Sequence, residues 1–81
     1  MGTAQRQHEK IAEIIRKRIT NGELKPSRRI PSQSKMAEEF GVSVRTITLA
    51  IALLRERSYV WTLPHKGSYA RPPEHWQQDA N

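Results

Sequence analysis

The 81-residue chain contains no cysteine, so neither disulfides nor thiolate-bound metal can hold it together. Its three histidines, His8, His65 and His75, are scattered, and no two have the i, i+4 spacing of ligands on one helix face. No metal site is expected. Long apolar runs are missing too: the longest, ending at Leu54, is far too short to cross a bilayer, and no signal peptide opens the chain. A cytoplasmic protein is the expectation. No glycine-rich phosphate loop is present, and no nucleophile, base and orienting acid can be assembled, so neither an enzyme nor a cofactor is expected. With 36% hydrophobic residues, a chain of this length can bury one small core. Internal repeats and low-complexity segments are absent.

What the chain does have is positive charge. Lys and Arg number 14 against 8 Asp and Glu, for a net charge of +6 and a pI of about 10.3. Such a balance fits a polyanion-binding module, because each neutralised phosphate releases counterions and adds affinity. Many soluble domains are basic, so the distribution carries more than the sum. The last ten residues hold Glu74 and Asp79 but no Lys or Arg, which leaves the whole positive excess before them.

Residues 30–54 organise the rest. Ser32 is a good N-cap, since its hydroxyl can accept from a free backbone N–H of the first turn, and Pro31 keeps the chain extended up to that point. Met36, Ala37 and Phe40 then share one helix face. Gly41 provides the backbone freedom needed to leave the helix, Val42 points back into the core, and Ser43 caps a second helix. On that helix Ile47, Ala50, Ile51 and Leu54 recur at the helical period. Two short helices joined this way form a helix-turn-helix, whose second helix lies in the major groove with its N-terminal residues at the base edges.

Before this motif, residues 4–21 read as one amphipathic helix. Ile11, Ile14, Ile15 and Ile19 form its apolar stripe, and Glu9, Lys10, Glu13, Arg16 and Lys17 face water. Gly22 ends it, after basic residues that suit the negative end of the helix dipole. The helix is core scaffolding; Arg16, Lys17 and Arg18 are either a solvated face or phosphate contacts. Residues 23–30 connect, with room for a very short strand near Arg29 and Ile30. After the motif, residues 59–63 are rich in aromatic and β-branched side chains, as a strand should be. Residues 64–67 turn, and residues 68–70 return as a second strand. An isolated hairpin is only marginally stable, so this wing must pack on the helices through Tyr59, Val60 and Tyr69. The expected fold is mainly α with a small β-hairpin, a winged helix-turn-helix of three helices and a two-stranded wing. Its expected domain spans residues 4–71, between a loose start at 1–3 and a loose tail at 72–81.

Residues 11–70 resemble the N-terminal winged-helix domain of the GntR family of bacterial transcription regulators. The resemblance is carried by IAEIIRKRITNGELKP (residues 11–26), RIPS (29–32), MAEEFGVS (36–43), TITLAIALL (46–54) and PHKGSY (64–69). It implies a regulator, most often a repressor, that binds a two-fold operator in double-stranded DNA as a dimer. Most members carry a C-terminal effector-binding and dimerisation domain, so the chain is either a fragment of a longer regulator or a short subtype. In the latter case it is similar to the transfer-control repressors of actinomycete conjugative plasmids. Several positions depart from the family pattern. Gln33 and Ser34 stand where Glu-Arg is usual, Val44 and Thr48 where arginine is frequent, and Ser58 and His65 where glycine is common. The fold carries over; the bases read do not.

On a helix capped at Ser43, the early residues face the groove. Arg45 is the leading base reader, because its guanidinium presents paired donors that match guanine O6 and N7; the alternative is a phosphate contact. Thr46 and Thr48 can donate to phosphate or offer a methyl to thymine, or be ordinary helical threonines. Val44 touches a thymine methyl or merely packs. Ser43 caps its helix and presents first-turn N–H groups to phosphate, and Ser32, Gln33 and Ser34 do the same for the preceding helix, unless capping and solvent exposure account for them. At the wing tip Lys66 brings charge, Gly67 allows close backbone approach, and His65 is a donor able to enter a minor groove. A turn of that composition would also close a hairpin with no function. The competing reading is a winged helix for protein contacts, with Leu49, Trp61 and Trp76 as a partner surface and the basic face incidental.

Overall fold

A computed structural model describes residues 3–76, with side chains from residue 7 onward. Helix α1 (Thr3–Thr20) leads through a connector to α2 (Gln33–Phe40) and α3 (Val44–Glu56). Strands β1 (Val60–Leu63) and β2 (Gly67–Ala70) follow as an antiparallel pair, and a 3-10 turn covers Pro73–His75. This is the winged helix-turn-helix expected from the sequence.

The caps behave as local chemistry dictates. Ser32 Oγ accepts from the Lys35 N–H at 3.2 Å and Ser43 Oγ from the Thr46 N–H at 3.2 Å, each satisfying a first-turn donor. Gly41 leaves α2 in the left-handed region, φ 69°, where a side chain is costly. Residues placed at helical spacing then meet in one core. Ile11, Ala12, Ile15 and Ile19 of α1 face Ile47, Ala50, Ile51 and Leu54 of α3, with Met36, Ala37, Ile30 and Val60 closing the ends.

One isoleucine of the expected stripe does not belong to it: Ile14 is 42% exposed. With about 100° of rotation per residue, Ile11, Ile15, Ile19 and Ala12 cluster on one side of α1, and Ile14 falls past its edge.

The hairpin pairs Val60 with Ala70, Trp61 with Tyr69, Thr62 with Ser68 and Leu63 with Gly67. Val60 and Ala70 are both fully buried, so this pair seats the wing on the helices. Tyr69, expected to do so, is directly opposite Trp61 and therefore shares its outward face. The connector adds an edge beside β2. Arg29 bridges Tyr69, the Ile30 N–H donates to the Ser68 carbonyl at 2.9 Å, and the Ala70 N–H donates to the Arg28 carbonyl at 3.0 Å. The wing thus gains backbone partners on a second side, which a lone hairpin lacks.

Within the stretch read as a loose tail, Trp76 packs its ring 5.5 Å from that of Tyr59 and donates Nε1–H to the Arg71 carbonyl at 2.8 Å. Residues 77–81 lie outside the described residues. No described helix is long and apolar enough to cross a membrane.

Candidate nucleic-acid interface

Helix α3 is capped by Ser43 but begins without an acidic side chain. Neither α2 nor α3 has an acidic residue in its first turn, so the positive end of each helix dipole is unneutralised. Val44 is 46% exposed, and Arg45 beside it is exposed. Arg45 has no hydrogen bond or ion pair with another described side chain. Its guanidinium is available for an external acceptor.

Thr46 is different. It is only 7% exposed, and its hydroxyl lies 3.1 Å from Ser43 Oγ. Thr46 thus supports the cap from within the first turn of α3. Thr48, one turn after Val44, is exposed. Its Oγ1 lies 3.0 Å from the Val44 carbonyl oxygen and 2.8 Å from Oε1 of Gln33, at the start of α2. Two of the expected residues from different helices are therefore bonded to each other.

Ser32 and Gln33 also border a cleft of about 260 Å³ whose far wall is the wing, with Thr62, Gly67 and Ser68. Thr62 and Ser68 hold their hydroxyls 3.0 Å apart across the strands. Arg29 completes this cleft and was not singled out from the sequence, where it read only as a residue of a short strand. A Cβ at Gly67 would sit 2.8 Å from Arg29 Nε. Gly67, with φ 99°, therefore makes room for the Arg29 guanidinium within the fold, in addition to any approach of a ligand. Ser34, His65 and Lys66 are exposed, the last two together at the wing tip.

Two arginines of α1 are committed elsewhere. Arg16 donates from Nε to Glu13 at 3.0 Å, and Arg18 reaches Glu39 of α2 at 2.6 Å while stacking 5.3 Å from the Phe40 ring. The hydrogen bond to Arg18 holds the Glu39 carboxyl below its ordinary range, and that to Arg16 does the same for Glu13. Each pairing lifts the arginine in turn. Arg16 and Arg18 are thus tied to carboxylates of the fold, while Lys17 is exposed on the solvated face. The apolar surface offered as a protein-docking site is divided: Trp76 is turned onto Tyr59, whereas Trp61, with Arg71 5.3 Å from its ring, and Leu49 stay 44% and 37% exposed.

Residues 7–69 match the model of the bacterial regulatory proteins of the gntR family. The chain belongs to the GntR family. Among curated GntR-type relatives, the mannosyl-D-glycerate transport/metabolism system repressor MngR of Escherichia coli (strain K12) is 36% identical over 64 residues, 79% of this chain and 27% of that protein. The transcriptional repressor NagR of Bacillus subtilis (strain 168) is 33% identical over 64 residues, 79% of this chain and 26% of its own length. The chain thus spans about a quarter of the curated relatives it matches. Among solved structures, AraR(DBD) in complex with operator ORE1 superposes with a TM-score of 0.76 at 26% identity, covering 79% of this chain and 78% of that one.

Two departures from the GntR pattern acquire a physical meaning in this structure. Ser58 and His65, at positions where glycine is common, have φ of 66° and 63°. Both are in the left-handed region, which costs an L-residue roughly 1–2 kcal/mol. At both positions this chain holds a side chain in a backbone region that glycine enters without strain.

Proposed function

We propose that this chain is the operator-reading module of a GntR-type transcription repressor, that it acts in the bacterial cytoplasm on double-stranded DNA, and that it carries out no chemistry. The observation that supports this most is the front of α3: an exposed, unpaired Arg45 next to a helix N-terminus with no acidic neighbour in its first turn. Arg45 reads a base edge, Ser43 and Ser32 present first-turn N–H groups to phosphate, and Val44 meets a thymine methyl. His65, Lys66 and Gly67 bring the wing to the flanking groove, and Arg29 adds charge where the wing meets α2.

The test is selection of bound sequences from a random duplex pool, followed by titration of the selected duplex and a scrambled one over a salt series. A common half-site and steeply salt-dependent affinity are expected. Little affinity for any duplex at low salt would refute the proposal.

A further inference from the structure

We propose that Gln33 and Thr48 act as one recognition unit, in which the Thr48 hydroxyl orients the Gln33 side-chain amide and Gln33 donates its N–H groups to an acceptor on the duplex. This rests on the operator-binding reading above. A threonine hydroxyl has one proton, and both groups near Thr48 Oγ1 are acceptors: Gln33 Oε1 at 2.8 Å and the Val44 carbonyl at 3.0 Å. The proton is therefore spent within the protein. What Thr48 has left to offer is lone pairs, and phosphate oxygens also only accept, so Thr48 cannot be the phosphate donor that its exposed position suggests. Gln33 gains what Thr48 gives up. With Oε1 held by the hydroxyl, both Nε2 protons remain unused among the described residues. Those protons complement phosphate oxygens or base-edge acceptors such as guanine O6 and N7. Gln33 is half-buried in the wall of the cleft with Arg29, Ser32 and Gly67, which narrows the arc its amide can sweep. Thr48 is thus a positioning residue, and Gln33 is the contact.

The experiment uses the full chain with the selected duplex and a scrambled duplex of equal length at one salt concentration. Gln33→Ala is expected to weaken operator affinity about fivefold to tenfold and Thr48→Val about threefold, as for loss of one hydrogen bond. The double variant is expected to lose no more than Gln33→Ala alone, and Thr48→Ser, which keeps the donor, to bind like the parent. Gln33→Glu still accepts from Thr48 but lacks the N–H groups, so a loss of about tenfold or more is expected. The Gln33 side-chain NH₂ resonances should shift on adding duplex. Loss on the operator alone assigns a base-edge acceptor, and equal loss on both duplexes assigns phosphate. Additive effects of Gln33→Ala and Thr48→Val, or parent-like binding by Gln33→Glu, would overturn the unit while leaving operator binding intact. A parent that binds neither duplex would instead bring down the underlying function. Unfolding midpoints of all variants separate these outcomes from misfolding.

Discussion

The arginines of α1 and the cations of the motif and wing are the same chemical groups in two different conditions. Arg16 and Arg18 each hold a carboxylate, and each also lies over a ring, Tyr59 at 6.0 Å and Phe40 at 5.3 Å. Arg45 and Lys66 are exposed and hold nothing on the described protein. A net charge of +6 counts all of them equally. Pairing separates them: a guanidinium already bonded to glutamate must give that bond up before it can take a phosphate, whereas Arg45 gives up only water. The acids follow the same division. Glu13 and Glu39 lie with their arginines, and the first turns of α2 and α3 have none.

Four measurements would break or sharpen this contrast. The largest effect is expected for Arg45→Ala, which should cost about 1–3 kcal/mol on the selected operator and much less on scrambled DNA. Equal losses would reduce Arg45 to a backbone contact. Lys66→Ala comes next: affinity should fall on both duplexes alike and the salt slope by about one unit. An unchanged slope would place the wing tip outside the interface. A third substitution touches neither set of cations. Ser58→Gly should stabilise the fold by about 1 kcal/mol, because it relieves a positive φ, and leave the salt slope untouched. Calorimetry showing no gain would mean that the wing carries no such strain.

The smallest effect concerns the paired set. Removing the Arg18–Glu39 contact by Glu39→Gln should cost about 0.5 kcal/mol at pH 7, the scale of an exposed ion pair, with little change in DNA affinity. Glu39 is held below its ordinary value of 4.5 in the folded state. Its contribution is therefore present above that pH and is lost as pH falls through the lower folded value. Parent and variant should unfold at different temperatures near neutrality and converge in acid; a gap that widens on acidification would contradict the assignment.

Legibility followed the range of the interactions involved. Ser32, Gly41 and Ser43 were readable as caps because a cap is settled within a few residues of itself. Ile47, Ala50, Ile51 and Leu54 were readable because one helix period predicts one buried face. Ile14 looked like its neighbours until the position of α3 against α1 defined the edge of the stripe. Arg29 carried no local signal. Its place under Gly67 arises only when residues far apart in sequence become strand neighbours. Trp76 carries no local signal of burial, because the ring it packs on, Tyr59, precedes the whole hairpin in sequence.

The amino-acid sequence by itself determined the helices, their caps, the turn at Gly41, the wing and the overall excess of positive charge, all of which rest on spacing and on chemistry within a turn or two. Tertiary structure alone decided that Arg18 is held by Glu39, that Gln33 meets Thr48, and that Arg29 lies under Gly67. Those outcomes depend on distances between separate elements, and such distances exist only once the core has set the helices and the hairpin against one another.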